Sequence, residues 1–127
     1  MVSIILFDED KRILLQHRTE DDKKYPGMWG FFGGGIEGNE TPLEAVKREC
    51  FEELNYKLKN PKLILKKKIV GKTFFLFLEK YDPSKKLTLQ EGQGMGWFGI
   101  DEVNEIKTTQ FLKGIISEVK ATINSQT

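Results

Sequence analysis

Cysteine and histidine are nearly absent from this chain, with one of each among its 127 residues. A single cysteine, Cys50, excludes an internal disulfide and fits a reducing environment, so we expect a cytoplasmic protein. The only histidine, His17, ends a candidate strand, where a structural role is more common than a catalytic one. Long apolar runs are also missing, because the run at residues 4–7 is too short for a signal peptide or a membrane span.

An excess of either charge is missing as well. The chain has 20 Lys and Arg against 19 Asp and Glu, a formal net charge of +1, which gives no electrostatic case for binding nucleic acid or a membrane surface. Hydrophobic residues make up 39% and charged residues 31%, a balance that excludes disorder. We expect one domain over residues 1–127, without repeats or linkers, as a monomer or a homodimer.

The most informative stretch, residues 33–56, is glycine-rich at its start and continues as a helix with both ends marked. Thr41 is a good N-cap, Pro42 suits the first helical position, and Glu44 completes a capping box with Thr41. Asn55 tolerates the left-handed conformation that closes a helix. The pattern therefore predicts a helix that begins at Pro42 and stops at Asn55.

Three glutamates fall on one side of this predicted helix. At about 100° per residue, Glu52 lies near −60° and Glu53 near +40° from Glu49, so the carboxylates share an arc of roughly 100° beside the apolar stripe. Like charges at these spacings cost roughly 0.2–0.5 kcal/mol per pair, so a purely structural helix would gain from a lysine here. Clustered carboxylates beside a glycine-rich loop suit a divalent cation such as Mg²⁺ that holds substrate phosphates. A solvated acidic face is the alternative.

The spacing of these residues closely resembles the Nudix box, the signature of the MutT-type pyrophosphohydrolases. It runs over 23 positions: Gly34, five residues, Glu40, seven residues, Arg48-Glu49, two residues, Glu52-Glu53, two residues and the apolar Tyr56. Asn55 stands where the family usually has glycine, and both residue types accept a left-handed backbone. The departure therefore leaves the resemblance intact.

The resemblance implies an α/β (α+β) fold, a mixed β-sheet sandwiched between α-helices; periodicity alone supports only α+β or α/β. It implies hydrolysis of a nucleoside diphosphate linked to another group, X, with Mg²⁺ as the cofactor and Mn²⁺ as a substitute. The compact chain is similar to the branch that splits nucleoside triphosphates, some of them oxidised, and releases pyrophosphate. The alternatives are a nucleotide sugar, ADP-ribose or a dinucleoside polyphosphate, and a non-catalytic nucleotide-binding module, which the intact set of acids disfavours.

The same resemblance implies roles for residues of the box. Metal ligands or the general base come from three glutamates: Glu49, Glu52 and Glu53. Gly33 adds a main-chain carbonyl ligand, and Arg48 orients a carboxylate by a bidentate contact. In the loop, Glu40 supports the loop's shape or a second metal, while Gly34 and Gly35 let the backbone approach the substrate closely.

Two groups of residues outside the box complete the expected site. Glu91 lies in a later glycine-rich loop, where the family often contributes a carboxylate, so it is a metal ligand or the base; the alternative is a surface acid. Before the glycine-rich loop, aromatic rings line the pocket and stack on a base or pack in the core. Trp29 and Phe32 are the candidates for contact with the substrate.

Strands and a second helix account for the rest of the chain. We expect an opening hairpin of Val2–Phe7 and Ile13–His17 and a short strand at residues 29–32. After the first helix we expect one or two strands at 57–70, a central strand at 72–81, a mobile loop at 88–96 and a strand at 97–99. The chain should then form a helical turn at 100–106 capped by Asp101 and a helix at 108–123 capped by Thr108 or Thr109.

Overall fold

The opening hairpin lies at the centre of the fold. In the computed structural model, which describes residues 1–126, β1 (Val2–Phe7) and β2 (Ile13–His17) pair antiparallel with Phe7 opposite Ile13. All residues of β1 are buried, which is typical of a strand covered on both faces. The expected hairpin is confirmed.

The remaining elements follow in chain order. They are β3 (Trp29–Gly30), β4 (Phe32–Gly34), α1 (Pro42–Leu54), β5 (Lys62–Ile69), β6 (Lys72–Lys80), β7 (Gly94–Phe98), a short 3₁₀ helix (Ile100–Glu105) and α2 (Gln110–Ser125). Over residues 1–126, no helix has the length and apolar character needed to cross a membrane.

The strands described within residues 1–126 form one mixed sheet. Its main path runs β3-β2-β1-β6-β5, with β4 also paired to β1 and β7 also paired to β2. β1 and β6 run parallel, and the other pairs are antiparallel. The single strand expected at residues 29–32 is two strands, because Trp29–Gly30 pairs with β2 whereas Phe32–Gly34 pairs with β1.

Alternation along β1 builds a core on each face of the sheet. Its even-numbered residues pack with the buried side of α1, in a cluster that includes Ala45, Val46, Cys50 and Leu54. Ile5 and Phe7 pack on the opposite face with the apolar side of α2. The sheet therefore lies between the two helices, which confirms the expected sandwich.

Both ends of α1 match the sequence signals. The Thr41 hydroxyl accepts a hydrogen bond from the Glu44 N–H, and the Thr41 N–H donates to the Glu44 carboxylate. Asn55 takes the left-handed conformation at φ 54°, and its N–H donates to the Phe51 carbonyl. The helix thus holds its acidic face in a fixed register.

The C-terminal part differs from the expectation at several boundaries, and α2 begins and ends two residues later than the expected 108–123. Gly99, not Asp101, precedes the 3₁₀ helix, because the Gly99 N–H donates to the Glu102 carboxylate at 2.7 Å. β7 begins at Gly94, three residues earlier than expected, because Gly94 pairs with His17 of β2. Thr109 caps α2 by accepting from the Leu112 N–H, which decides between the two candidate caps.

Candidate active site

The inner acids of α1 lie against the glycine-rich strand β4. Glu53 is only 5% exposed, and its carboxylate accepts a hydrogen bond of 2.7 Å from the Gly33 N–H. Glu49 packs against Gly34, where an added Cβ would come within 2.6 Å of the Glu49 carboxylate. At Gly33, with φ 151°, an added Cβ would clash with the Val2 carbonyl oxygen. Glycine is therefore what lets β4 pass between β1 and the acids of α1.

The environment of Glu53 is unfavourable for its charge. Burial is the largest cause that raises the pKa of this carboxyl, and the charges of Glu49 and Glu91 act in the same direction. The hydrogen bond from the Gly33 N–H lowers the pKa, and the net result of these effects is a pKa of about 8. Within residues 1–126, no cationic side chain forms an ion pair with Glu53, although Arg18 acts on it at longer range. A buried acid in this situation is stabilised by an added cation.

Arg48 links the loop to the acidic face of α1 through all five of its N–H donors. Its Nε and Nη2 atoms contact the Glu40 carboxylate at 2.7 and 3.0 Å, and Nη2 also donates to the Gly35 carbonyl at 2.9 Å. Its Nη1 atom donates to Glu49 at 2.9 Å and Glu52 at 2.7 Å. These contacts raise the pKa of Arg48 and lower that of Glu40. Arg48 therefore offsets the repulsion among the acids, and its bidentate contact goes to Glu40.

An open acidic cavity of about 530 Å³ brings together Arg48 and the four glutamates expected as metal ligands or the general base. Its lining consists of Glu37, Arg48, Glu49, Glu52, Glu53, Gln90 and Glu91. The loop that carries Glu91 reaches α1 through a hydrogen bond of 2.9 Å from the Gln90 N–H to the Glu53 carbonyl. The structure therefore brings Glu91 to the acids of α1, although the two lie far apart in sequence.

The donors in the acidic cavity are those that a hard divalent cation requires. Carboxylate oxygens from several side chains suit Mg²⁺ or Mn²⁺, and the uncompensated burial of Glu53 provides a position where positive charge is favourable. In the part of the chain that the structure describes, no three acidic, histidine or cysteine side chains already converge on one point. Glu49 and Glu52 each turn one oxygen to Arg48 and keep the second oxygen available.

A second cavity, of about 390 Å³, lies on the α2 side of the sheet and has mostly apolar walls. Its volume falls in the range of small-molecule sites. Gly33 borders this cavity while its N–H reaches Glu53. Its lining includes aromatic rings and two cationic side chains: Tyr25, Trp29, Phe31, Phe74, Phe111, Arg18 and Lys72. The cavity is therefore suited to a flat aromatic group next to a negative charge.

The aromatic residues before β4 divide between the cavity and the core. Trp29 lines the cavity, and the His17 ring stacks on it at 4.2 Å with an angle of 6° between the planes. Phe32 is 1% exposed in the core on the α1 side. The expected contact of Phe32 with substrate is therefore corrected, because the alternation of side chains gives Phe31 the place at the cavity.

Sequence reasoning missed several residues of the cavity wall. Arg18 follows directly after β2, Phe74 lies in β6 and Phe111 lies in α2, and none of them was predicted from the sequence to be a site residue. Phe74 reaches this cavity through the parallel pairing of β1 with β6, a contact between distant parts of the chain. Open space surrounds Gly35, where an added Cβ would have no protein heavy atom within 4 Å, and the Gly35 carbonyl accepts a hydrogen bond from Arg48.

A mixed sheet between helices, with the acids of one helix facing a glycine-rich strand, defines an α+β fold with its candidate site at the edge of the sheet. The family model of the NUDIX domain matches residues 1–119. The chain therefore belongs to the NUDIX family, and the resemblance inferred from the box is confirmed.

Two curated relatives and one solved structure illustrate the similarity. An RNA pyrophosphohydrolase from Halorhodospira halophila is 45% identical over 53 residues, which cover 42% of this chain and 26% of the relative. The nucleoside triphosphatase NudI from Escherichia coli O139:H28 is 40% identical over 53 residues, 42% of this chain and 38% of the relative. The matched region is thus well under half of either relative. A structure from a study of MutT of Aliivibrio salmonicida and Vibrio cholerae has a TM-score of 0.82 at 23% identity and 95% coverage of both chains, a likeness of fold alone.

Proposed function

We propose that this chain is a divalent-metal-dependent hydrolase that splits a nucleoside triphosphate, normal or oxidised, into a nucleoside monophosphate and pyrophosphate. The observation that carries the proposal is the position of Gly33, whose backbone borders the apolar cavity and donates to Glu53 of the acidic cavity. A nucleotide laid across Gly33 has its base among aromatic rings and its phosphates beside the carboxylates. The apolar cavity therefore suits the base of a nucleotide, and the acidic cavity, with a bound cation, suits its phosphates.

The residues that would hold the metal are Glu49, Glu52, Glu53 and Glu91, with the Gly33 carbonyl as a further ligand. Mg²⁺ fits these oxygen donors, and Mn²⁺ is a substitute. When bound, the cation supplies neutralisation of the phosphate charge and a lower pKa for the attacking water. Glu53 gains most from a cation because its charge is buried, so we rank it as the firmest ligand.

The other roles fall to charged groups around the two cavities. Glu49 or Glu91 takes the proton from the water that attacks phosphorus, since both carboxylates line the acidic cavity. Arg48 holds Glu49 in position through its 2.9 Å contact. Arg18 lines the apolar cavity and acts electrostatically on Glu53, so its guanidinium is within range of both sites. We assign it to a substrate phosphate.

The choice of substrate rests on the relatives and on the cavity. One relative is named a nucleoside triphosphatase, which favours a nucleoside triphosphate, and another is named an RNA pyrophosphohydrolase. The apolar cavity of about 390 Å³ suits a single nucleobase. Nucleotide sugars, ADP-ribose and dinucleoside polyphosphates are the alternatives. A module that binds nucleotide without hydrolysis is the alternative of another class.

A product-release screen with Mg²⁺ or Mn²⁺ tests the proposal. The panel contains normal and oxidised nucleoside triphosphates, nucleotide sugars, ADP-ribose, dinucleoside polyphosphates and a 5′-triphosphorylated RNA oligonucleotide. Phosphate is measured with and without added pyrophosphatase, which separates pyrophosphate from phosphate as the product. We expect a preferred nucleoside triphosphate and signal only with pyrophosphatase. Nucleotide binding without turnover of any compound would instead support the binding module.

A further inference from the structure

Glu91 lies on an exposed loop, so only the backbone around it can fix its position. One side of the loop is attached to α1, where the Thr88 N–H donates to the Leu54 carbonyl and the Gln90 N–H donates to the Glu53 carbonyl, both at 2.9 Å. Both bonds precede Glu91 in the chain. Attached on this side alone, the Glu91 side chain would move with a free loop end.

The other side of the loop is held by the end of β2. The Gln93 N–H donates to the His17 carbonyl at 2.9 Å, and the Gln93 amide nitrogen donates to the Arg18 carbonyl at 2.7 Å. Its second hydrogen points to Glu20 at 3.2 Å. Gln16, which is 5% exposed, donates its side-chain amide to the Glu91 carbonyl at 3.2 Å. Two glutamine side chains therefore tie the loop at Glu91 and just after it to β2 and to the residue that follows β2.

Gly92, between these contacts, fits only without a side chain. Its φ is 89°, and an added Cβ would lie 2.8 Å from the His17 carbonyl oxygen and 3.1 Å from the Gln16 amide nitrogen. This close approach keeps the loop against β2. The loop expected to be mobile is therefore clamped on both sides of the carboxylate.

We propose that Gln93 and Gln16 are positioning residues, which hold the Glu91 carboxylate at the acidic cavity by clamping its loop to β2. The inference rests on the proposed function, in which Glu91 is a metal ligand or the base. A carboxylate in either role must be placed closely, since a shift of about 1 Å costs up to about 100-fold in rate. Gln93 is the better residue to vary because it is exposed, so its loss leaves the core unchanged.

A double-mutant cycle of Gln93→Leu and Glu91→Gln tests this role. Leucine keeps the approximate size of glutamine and removes the donor to Arg18. The matched control is Gln110→Leu, the same substitution at an exposed position of α2. We expect Gln93→Leu to lower kcat about tenfold with little change in KM. In the Glu91→Gln background the same change should lower kcat by less than about twofold, because the clamp then has no carboxylate to place. Independent, multiplicative losses would overturn the proposal, as would an unchanged kcat in either single variant.

Amide hydrogen exchange tests the clamp without any turnover. In Gln93→Leu the amides of Gln90 and Gln93 should exchange at least about fivefold faster than in the wild type, while the amides of β1 should not change. Equal exchange in the two proteins would refute the clamp. If the wild type hydrolyses none of the compounds, the proposed function fails independently of the positioning role. The same double-mutant cycle is then measured by Mn²⁺ affinity in place of kcat. Non-additive losses of Mn²⁺ affinity support the positioning role, and additive losses or no loss reject it.

Discussion

Replacing Glu53 by glutamine should abolish hydrolysis and, without divalent cations, make the protein more stable. Glu53 is 5% exposed, and burial raises its pKa from 4.5 to about 8. Glutamine has the same shape, and its amide oxygen can accept the hydrogen bond from the Gly33 N–H. The substitution therefore removes a buried carboxyl that the folded protein must keep protonated at neutral pH, and it leaves the local packing intact.

The sign and size of the effect follow from the two pKa values. Below pH 4.5 the carboxyl is protonated in both the folded and the unfolded state, so it adds no pH dependence. Between pH 4.5 and about 8 the unfolded chain releases the proton and the folded protein keeps it, so the stability of the wild type falls as pH rises. At about 1.36 kcal/mol per pH unit, the free energy of unfolding of the wild type falls by at most about 4 kcal/mol between pH 4.5 and pH 7.5. For a chain of this size this corresponds to at most about 15 °C in Tm.

Thermal unfolding in EDTA between pH 4 and pH 8 measures the effect. The Tm of Glu53→Gln should exceed that of the wild type at pH 7.5, and the difference should shrink towards pH 4. Added Mg²⁺ should raise the Tm of the wild type more than that of the variant. Glu118→Gln, at an exposed position of α2, is the matched control and should show none of these differences. A variant that is less stable than the wild type at pH 7.5, or a difference that does not depend on pH, would refute the reasoning.

Three further substitutions probe the core, the glycine-rich strand and the cavity. Leu54→Asp buries a charge at a position that is 0% exposed, so circular dichroism should show an unfolded chain, whereas a cooperative transition would contradict the assigned core. Gly33→Ala should lower Tm and expression, because its Cβ clashes with the Val2 carbonyl oxygen; a wild-type Tm would show that β4 can move. Trp29→Ala should raise KM for the preferred nucleotide by up to about tenfold, with a smaller effect on kcat. An unchanged KM would exclude Trp29 from base binding.

Local signals in the sequence were enough to predict the helix that carries the acids. Thr41, Glu44 and Asn55 form contacts only with near neighbours, so the capping box and the left-handed cap were readable directly. The same holds for the hairpin of β1 and β2. The spacing of Glu49 and Glu53 predicted that they share one side of the helix, and the structure shows that this side contacts Gly34 and Gly33 of β4.

The parts that the sequence did not predict depend on contacts between distant residues. Arg48 can reach several carboxylates, and only the folded loop shows that its bidentate partner is Glu40. Phe31 and Phe32 are equally apolar neighbours, and the break between β3 and β4 decides which one reaches the cavity. The clamp on the Glu91 loop likewise requires the pairing of β7 with β2.

Pyrophosphate release by wild type and Glu53→Gln, each in Mg²⁺ and in EDTA, is the most direct test of the proposed metal-dependent site. The preferred nucleoside triphosphate from the screen is the substrate, and the Tm of each protein is measured in the same buffers to establish that both are folded. We predict release by the wild type in Mg²⁺ and none above background in the other three reactions. Near-normal turnover by Glu53→Gln, or equal release by the wild type in EDTA, would contradict the account.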